Sequence, residues 1–527
     1  MTIEAPTETL AAPAPRARRL THVARSSLLI ACLFGLDKAL GLLRQVVIGR
    51  QFGVGAQLDA FNASNNLPDL LFALISGGAL AVALIPVLSQ TLEEDGRRAT
   101  WALFSRVANW AFLLTGTLAV VITLFAGPIV RSQIGIVPGF STELQSLVIQ
   151  LMRLNLIATL VFSLSGLVMA GLQANQHFLL PALAPILYTC GQIFGATILA
   201  PAQGYRLAGI SFPGYGLGIY GLAYGVILGA CLHLAVQVPG LIRYGFRWSP
   251  RLGLDHPGLR RVARLMGPRI LSLGAFHLVF IVQDNLASRI GIGSVTALAY
   301  GWMIMQVPET IIGTALGVAI LPTLSEQFAR GDDRAFEAAV GRAVRVLLAL
   351  TAPTAAILIV VLRPLVAAGF HFDPQGTELV VWASRAYLLG LVGHSLLEVA
   401  ARSFYARQNA RVPLAISALS TLVFVMAGIV LYRPLGAAGI GLSNSLAFTF
   451  EALALLFLLS RRFPAVLHQA GPVARIGVAT AAAGAVSFAI LHAAPGSPLV
   501  AALAATAAGG LFAAPFVIPE LRQLAKL

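Results

Sequence analysis

Ala79-Leu80-Ala81-Val82-Ala83-Leu84-Ile85-Pro86-Val87-Leu88-Ser89 returns 236 residues later as Ala315-Leu316-Gly317-Val318-Ala319-Ile320-Leu321-Pro322-Thr323-Leu324-Ser325, with seven of the eleven positions identical. Repetition at a long fixed offset marks a duplicated architecture. Two further pairs agree. Ala174-Asn175-Gln176-His177 and Pro181 match Ala406-Arg407-Gln408-Asn409 and Pro413 at an offset of 232. Leu217-Gly218 and Gly221 match Leu435-Gly436 and Gly439 at 218. The chain reads as two similar halves.

The halves are built from membrane spans. Of 527 residues 57% are hydrophobic and 11% charged, with a mean hydropathy of +0.83. A soluble domain carries about 25% charged residues. Apolar runs of the roughly 20 residues a spanning helix needs recur down the whole chain. About fourteen lie near 26–46, 66–90, 101–126, 144–170, 178–200, 216–241, 262–288, 295–321, 342–362, 379–400, 412–432, 436–460, 474–493 and 498–518. Each repeated motif falls on helices six apart in this count. Six is even, so the two halves share one orientation, as in many secondary transporters that bind substrate between such halves.

The expectation is therefore an all-α, polytopic membrane protein of two parallel-related six-helix lobes followed by two C-terminal helices. Its parts are a disordered cytoplasmic tail (1–25), an N-terminal lobe (26–241), a cytoplasmic linker (242–261), a C-terminal lobe (262–460) and two further transmembrane helices (461–527).

The formal net charge is +15, from 36 Lys+Arg against 21 Asp+Glu. Arginines gather in alternate connections, as at Arg97-Arg98, Arg260-Arg261 and Arg461-Arg462. This bias places both termini in the cytoplasm and sets basic loops against anionic head groups. No basic run interleaved with aromatics points to nucleic acid. The apolar run after Arg25 continues into Asp37, Lys38 and Arg44 without a cleavage pattern, so it reads as a retained first helix. Cys32, Cys190 and Cys231 lie in apolar segments and form no metal or disulfide motif. No nucleophile, base and orienter occur together, so no enzyme is expected.

Ionisable groups inside spans cost about 2.5–3.5 kcal/mol each and are functional candidates by default. The first helix carries Asp37, Lys38, Arg44 and Arg50. Lys38 and Arg44 suit a diphosphate in a wide cavity, lysine as a point charge and arginine as a planar fork. Asn66-Leu67-Pro68-Asp69 with Ser76-Gly77-Gly78 has a counterpart in Gln306-Val307-Pro308-Glu309. Proline and paired glycines interrupt backbone bonding, which is tolerated where a helix lines a cavity. These segments read as hinges, each with an acidic group. Asp284 and Asn285, near the end of the seventh span, are candidates for a coupling cation or proton. Gly191-x-x-x-Gly195 and Gly225-x-x-x-Gly229 predict close helix packing.

Lys38-Ala39-Leu40-Gly41-Leu42-Leu43-Arg44, then Arg50-Gln51-Phe52-Gly53, Asp59-Ala60-Phe61 and Leu67-Pro68 resemble the opening of MurJ/MviN proteins of the MOP exporter superfamily. Members of that family are lipid II flippases of peptidoglycan synthesis. The resemblance implies two lobes around a cationic cavity, two extra helices forming a lipid-facing groove, and alternating access driven by an ion gradient or the membrane potential. Arg44, Arg50 and Asp59 match the family pattern directly, and Lys38 falls where the family has a cavity arginine, so the resemblance implies these four as the substrate-binding residues. Two stretches depart from it. Phe72-Ala73 stand where an arginine follows Leu70-Leu71, and Tyr300-Gly301-Trp302-Met303 lacks an arginine of the eighth span. The cavity thereby loses about two cations and gains apolar groups.

Together these readings predict a flippase of the bacterial inner membrane for a polyprenyl-diphosphate-linked glycan, foremost lipid II. It would act as a monomer without a cofactor, with Na+ or H+ as coupling ion. One rival changes the cargo to another lipid-linked oligosaccharide. A second is a cation-coupled drug or metabolite antiporter, which would rely on Asp59, Asp69 and Glu309. A third is a membrane scaffold that transports nothing.

Overall fold

A computed structural model of the chain describes residues 16–77, 79–207, 210–253, 256–466, 470–493 and 496–522. The first half holds α1 (Arg16–Phe52), α2 (Ala56–Ser64), α3 (Asn66–Leu71), α4 (Ala79–Glu94), α5 (Gly96–Arg131), α6 (Thr142–Ala174), α7 (Leu179–Phe194), α8 (Ile219–Ala235) and α9 (Val238–Arg243). The second holds α10 (Pro257–Ser288), α11 (Ser294–Pro308), α12 (Ala315–Ala329), α13 (Asp333–Phe370), α14 (Pro374–Leu389), α15 (Leu391–Ala406) and α16 (Arg411–Ser460). Two more helices close the chain, α17 (Ala470–Ala493) and α18 (Pro498–Leu521). A small antiparallel hairpin, Tyr205–Leu207 against Ile210–Phe212, joins α7 to α8.

Every expected span falls on a helical segment. Among the described residues, nine helices are long and apolar enough to cross a membrane, and α14–α15, bent by 41°, would make a tenth. The fourteenfold count needs the breaks inside longer helices. α16 has 50 residues, about 75 Å of ideal helix, more than twice the hydrocarbon thickness. Gly436, at φ 59° and ψ −142°, breaks it where two spans were expected to meet.

Two boundaries differ from expectation. Residues 1–15 lie outside the described residues, but Arg16–Arg25, expected to be disordered, is the first part of α1. The linker is tied down: Trp101, Asn109 and Trp110 of α5 donate hydrogen bonds to the carbonyls of Tyr244, Ser249, Arg251 and Leu252. It is also shorter than 242–261, because α9 runs to Arg243 and α10 begins at Pro257.

The backbone repeats where the sequence does. α4 starts at Ala79 and α12 at Ala315, each preceded by a π-helical turn, Phe72–Gly77 and Glu309–Thr314. Leu84 and Leu88 enter the core of the first lobe, and their counterparts Ile320 and Leu324 enter that of the second. Gln176 (φ 60°) and Gln408 (φ 55°) turn the chain identically after α6 and α15. Gly218, at φ 53° and ψ −136°, matches Gly436. Such backbone is open to glycine and strained for other residues.

The glycine pairs make the close crossing they predict. A Cβ on Gly191 would lie 2.4 Å from the Gly229 Cα, and one on Gly195 2.7 Å from the Gly225 Cα. Backbone cannot yield as a side chain does, so Gly229→Leu is expected to exceed the roughly 1–3 kcal/mol of ordinary overpacking. Thermal unfolding of the detergent-solubilised variant, read by a loss of monodisperse protein, checks this. Finally, α17 and α18 pack on α13 through Ile357, Val361, Ile476, Ala483 and Ala505. Glu520 ties them there, accepting from Arg475 and forming an ion pair with Arg345 at 3.7 Å.

Candidate functional site

The second half of α1 runs between the lobes and brings Arg44 to a central cavity. Arg44 Nη1 donates to Gln192 Oε1 of α7 at 2.7 Å, and Gln192 Nε2 donates to Tyr188 Oη at 2.8 Å. One bond fixes the guanidinium without saturating its five N–H donors, so it keeps the fork that suits a phosphate. The cavity, about 260 Å³, is also lined by Asn62, Asn65, Asp69, Tyr300 and Met303. A second space of about 360 Å³ lies towards the C-terminal lobe, against Phe280, Asp284 and Trp302. A third, of about 580 Å³, runs into the N-terminal lobe past Phe72, Ala73, Phe162 and Tyr188. Asn65 and Asp69 line all three and mark their junction.

The other sequence candidates divide by location. Lys38 is exposed on α1, about 9 Å before Arg44 along the axis and roughly 120° round it, and is not among the residues lining these spaces. Arg50 turns away from the cavity and donates from Nε (3.1 Å) and Nη2 (2.9 Å) to the carbonyl of Gly369, in the last turn of α13. Asp59 is fully buried and accepts from the backbone N–H of Gly293 (2.5 Å) and Thr296 (2.7 Å) at the start of α11. A cation thus meets the carbonyl end of one helix, and a carboxylate the N–H end of another, as their dipoles favour. Both contacts join the lobes.

Pro68 is buried in α3, and Asp69 beside it is exposed to the cavity. Gly77 ends the first π-helical turn, and Gly78 lies outside the described residues. Pro308 ends α11 and opens the second π-helical turn. Glu309 is not the cavity counterpart of Asp69. Its buried carboxylate accepts from Thr314 Oγ1 at 3.0 Å, and it packs beside Gly313 and the Ser395 side chain of α15. Asp284 does reach the cavity, where Oδ2 accepts from Asn66 Nδ2 at 2.6 Å. Asn285 points elsewhere: its Nδ2 donates to the carbonyls of Gln133 (3.0 Å) and Gly135 (2.6 Å). Adjacent helix residues lie about 100° apart, so the pair forms no common site.

At the C-terminal end of α4, Arg261 Nη1 of α10 donates to Gln90 Oε1 (2.5 Å), while the contacts of Arg50 and Asp59 fall at the opposite end. Besides Arg50–Gly369 and Asp59–α11, Tyr300 Oη donates to the Gln45 carbonyl (3.0 Å) and Gly139 N–H to Ser288 Oγ (3.2 Å). Tyr300, Phe370 and Phe372 crowd Gly49, where a Cβ would sit 2.9 Å from the Tyr300 hydroxyl. That end is shut.

Gln192, Tyr188 and Gln283 carry no sequence motif, nor, apart from Asn66 in its hinge, do the asparagines of α2–α3. A signal for the last existed: Asn62, Asn65, Asn66 and Asp69 recur at i, i+3, i+4 and i+7, a polar stripe along one helical face.

The family model described as lipid II flippase MurJ matches residues 48–505. This chain belongs to the MurJ family. It is 31% identical over 439 residues to the lipid II flippase MurJ of Burkholderia cenocepacia, covering 81% of this chain and 82% of that one. With a probable lipid II flippase MurJ of Rhizobium meliloti it shares 28% over 432 residues, covering 80% and 77%. Among solved structures, a lipid II flippase MurJ in an inward closed conformation superposes with a TM-score of 0.76 at 20% identity, over 94% of this chain and all of that one. An inward-facing multidrug-resistance MATE transporter of the MOP superfamily gives 0.66 at 17% identity, covering 80% and 94%. Those two likenesses concern the fold. Arg44 precedes the stretch matched to MurJ, so its place in the cavity rests on the geometry above. Both departures from the MurJ pattern line the cavities, Met303 the first, Trp302 the second, and Phe72 and Ala73 the third.

Proposed function

We propose that this multi-pass MurJ-family protein translocates lipid II from the inner to the outer leaflet of the bacterial cytoplasmic membrane by alternating access. The observation that carries the reading is Arg44, held by a single hydrogen bond in the wall of a cavity between two repeated lobes. Its guanidinium binds the diphosphate while the prenyl tail stays in lipid. The positive-inside bias puts both termini in the cytoplasm and the shut end outside, so Arg50 and Asp59 belong to the outer gate. Opening that gate requires Asp59 and Arg50 to leave α11 and α13, and the paired π-helical turns supply the bending points. Coupling to Na+ or H+ runs through Asp284 with Asn66, without Asn285. The transport unit is the monomer.

Cells whose own lipid II flippase is under repressible control provide the test. Expression of this chain is expected to sustain growth on repression and keep lipid II reaching the outer leaflet. Lysis with lipid II retained inside, despite normal membrane levels of the protein, would remove the reading in favour of another lipid-linked cargo.

A further inference from the structure

The second cavity differs chemically from the one that holds Arg44. Among the described residues no lysine or arginine lines it, and two carboxylates, Asp69 and Asp284, would repel a phosphate there. Aromatic rings and side-chain amides remain. Trp302 stands edge-to-face with Phe280 (5.6 Å between centroids), Tyr387 (5.8 Å) and His394 (5.5 Å), which hold its plane. Trp101, Trp110 and Trp248 each donate their indole N–H to the protein, whereas that of Trp302 makes no hydrogen bond among the described residues.

Around this ring, Asn66 Nδ2 donates to Asp284 Oδ2 (2.6 Å), and Tyr387 Oη donates to Gln283 Oε1 (2.7 Å). Both pairs are oriented within the protein and retain capacity: Gln283 keeps its amide N–H donors, Asn66 its oxygen once its N–H groups have gone to Ala63 and Asp284, and a carboxylate accepts several bonds. An aromatic face beside carboxamides and a carboxylate matches a pyranose, which presents C–H groups on one face and hydroxyls around its rim. The volume, about 360 Å³, falls in the range of small-molecule sites. This space shares Asn62, Asn65 and Asp69 with the Arg44 cavity. A ligand with its diphosphate at Arg44 would place the sugar bonded to that diphosphate here.

We infer that this cavity is a sugar subsite, in which Trp302 stacks on the pyranose next to the diphosphate while Asn66, Gln283 and Asp284 bind its hydroxyl or acetamido groups. The inference rests on the transport reading above and names the part of the cargo that this wall recognises. Trp302, at a departure from the MurJ pattern, then exchanges attraction for phosphate for recognition of the glycan.

The test is binding of the full chain in detergent to two lipids, lipid II and undecaprenyl diphosphate, which has no sugar. Trp302→Ala is expected to weaken lipid II binding roughly tenfold and Trp302→Phe much less, an aromatic contact being a matter of one or two kcal/mol. Undecaprenyl diphosphate binding should stay within about twofold of the parent in both variants. Arg44→Ala should weaken both lipids. Equal loss for both lipids in Trp302→Ala, or loss for neither, overturns the subsite. So does Trp302-dependent binding of tetraphenylphosphonium with lipid II unaffected, which would make the cavity an organic-cation site. Insensitivity of both lipids to Arg44→Ala strikes the transport reading instead. Trp302→Phe keeps the test decisive if the alanine variant fails to fold.

Discussion

Asp59→Ala is expected to open the outer gate. Its carboxylate is fully buried and accepts two backbone N–H bonds, at 2.5 and 2.7 Å, from the first turn of α11 in the opposite lobe. The first N–H groups of a helix have no partner within it, and here another lobe supplies one. Gly293, at φ 90°, presents its N–H from a left-handed turn, so the backbone is shaped to this contact. Removing the carboxylate leaves two donors unpaired, at about 1–3 kcal/mol each. A loss near 3 kcal/mol favours the open gate by about a hundredfold. A reporter cysteine at Asn62, with Cys32, Cys190 and Cys231 replaced by serine, reads this out. Asn62 contacts Thr296 across the lobes at 3.4 Å, so an impermeant thiol reagent added outside should label it in Asp59→Ala and spare it in the parent. Equal labelling would refute the role given to Asp59.

Arg44→Ala carries the second large effect. Gln192 fixes the guanidinium by one bond, and among the described residues no other arginine or lysine lines the three connected spaces. A substrate diphosphate would therefore lose the one cationic partner that the described residues offer there. Truncating one member of a hydrogen-bonded charge pair in a sheltered site costs about 2–5 kcal/mol, or roughly thirty- to several-thousand-fold in affinity. Arg44→Lys should recover part of this, since lysine restores the charge without the fork. Native mass spectrometry of the protein against lipid II measures both variants. The fold should survive, because Arg44 supports only a contact to Gln192.

The fold was legible because its determinants are local. Apolar runs give spans, and the repeated Gly218/Gly436 and Gln176/Gln408 mark turns whose backbone leaves few choices. Arg44 and Asp69 stood out because a charge in a span is costly. What escaped depends on direction. Asp284 and Asn285 are neighbours in the chain but point to different places, and Lys38 sits round the helix from Arg44. Pro68-Asp69 and Pro308-Glu309 look equivalent, yet their offset is 240 against 236 for α4 and α12, one helical turn too many. Glu309 thus takes the place of Ala73, one turn further along the same face as Asp69, and there it packs against α15 while Asp69 lines the cavity. Arg50 and Asp59 were read as substrate ligands because sequence does not reveal that a helix end of the other lobe lies beside each. Trp302 registered only as a missing arginine, and its ring partners come from α10 and α14–α16.

The central claim is that lipid II crosses through the cavity held by Arg44. Translocation of fluorescent lipid II in proteoliposomes tests it most directly, comparing the parent chain with Arg44→Ala at matched reconstitution. The account predicts transfer between leaflets by the parent and near-background transfer by the variant. Transfer at the parental rate by Arg44→Ala would contradict it.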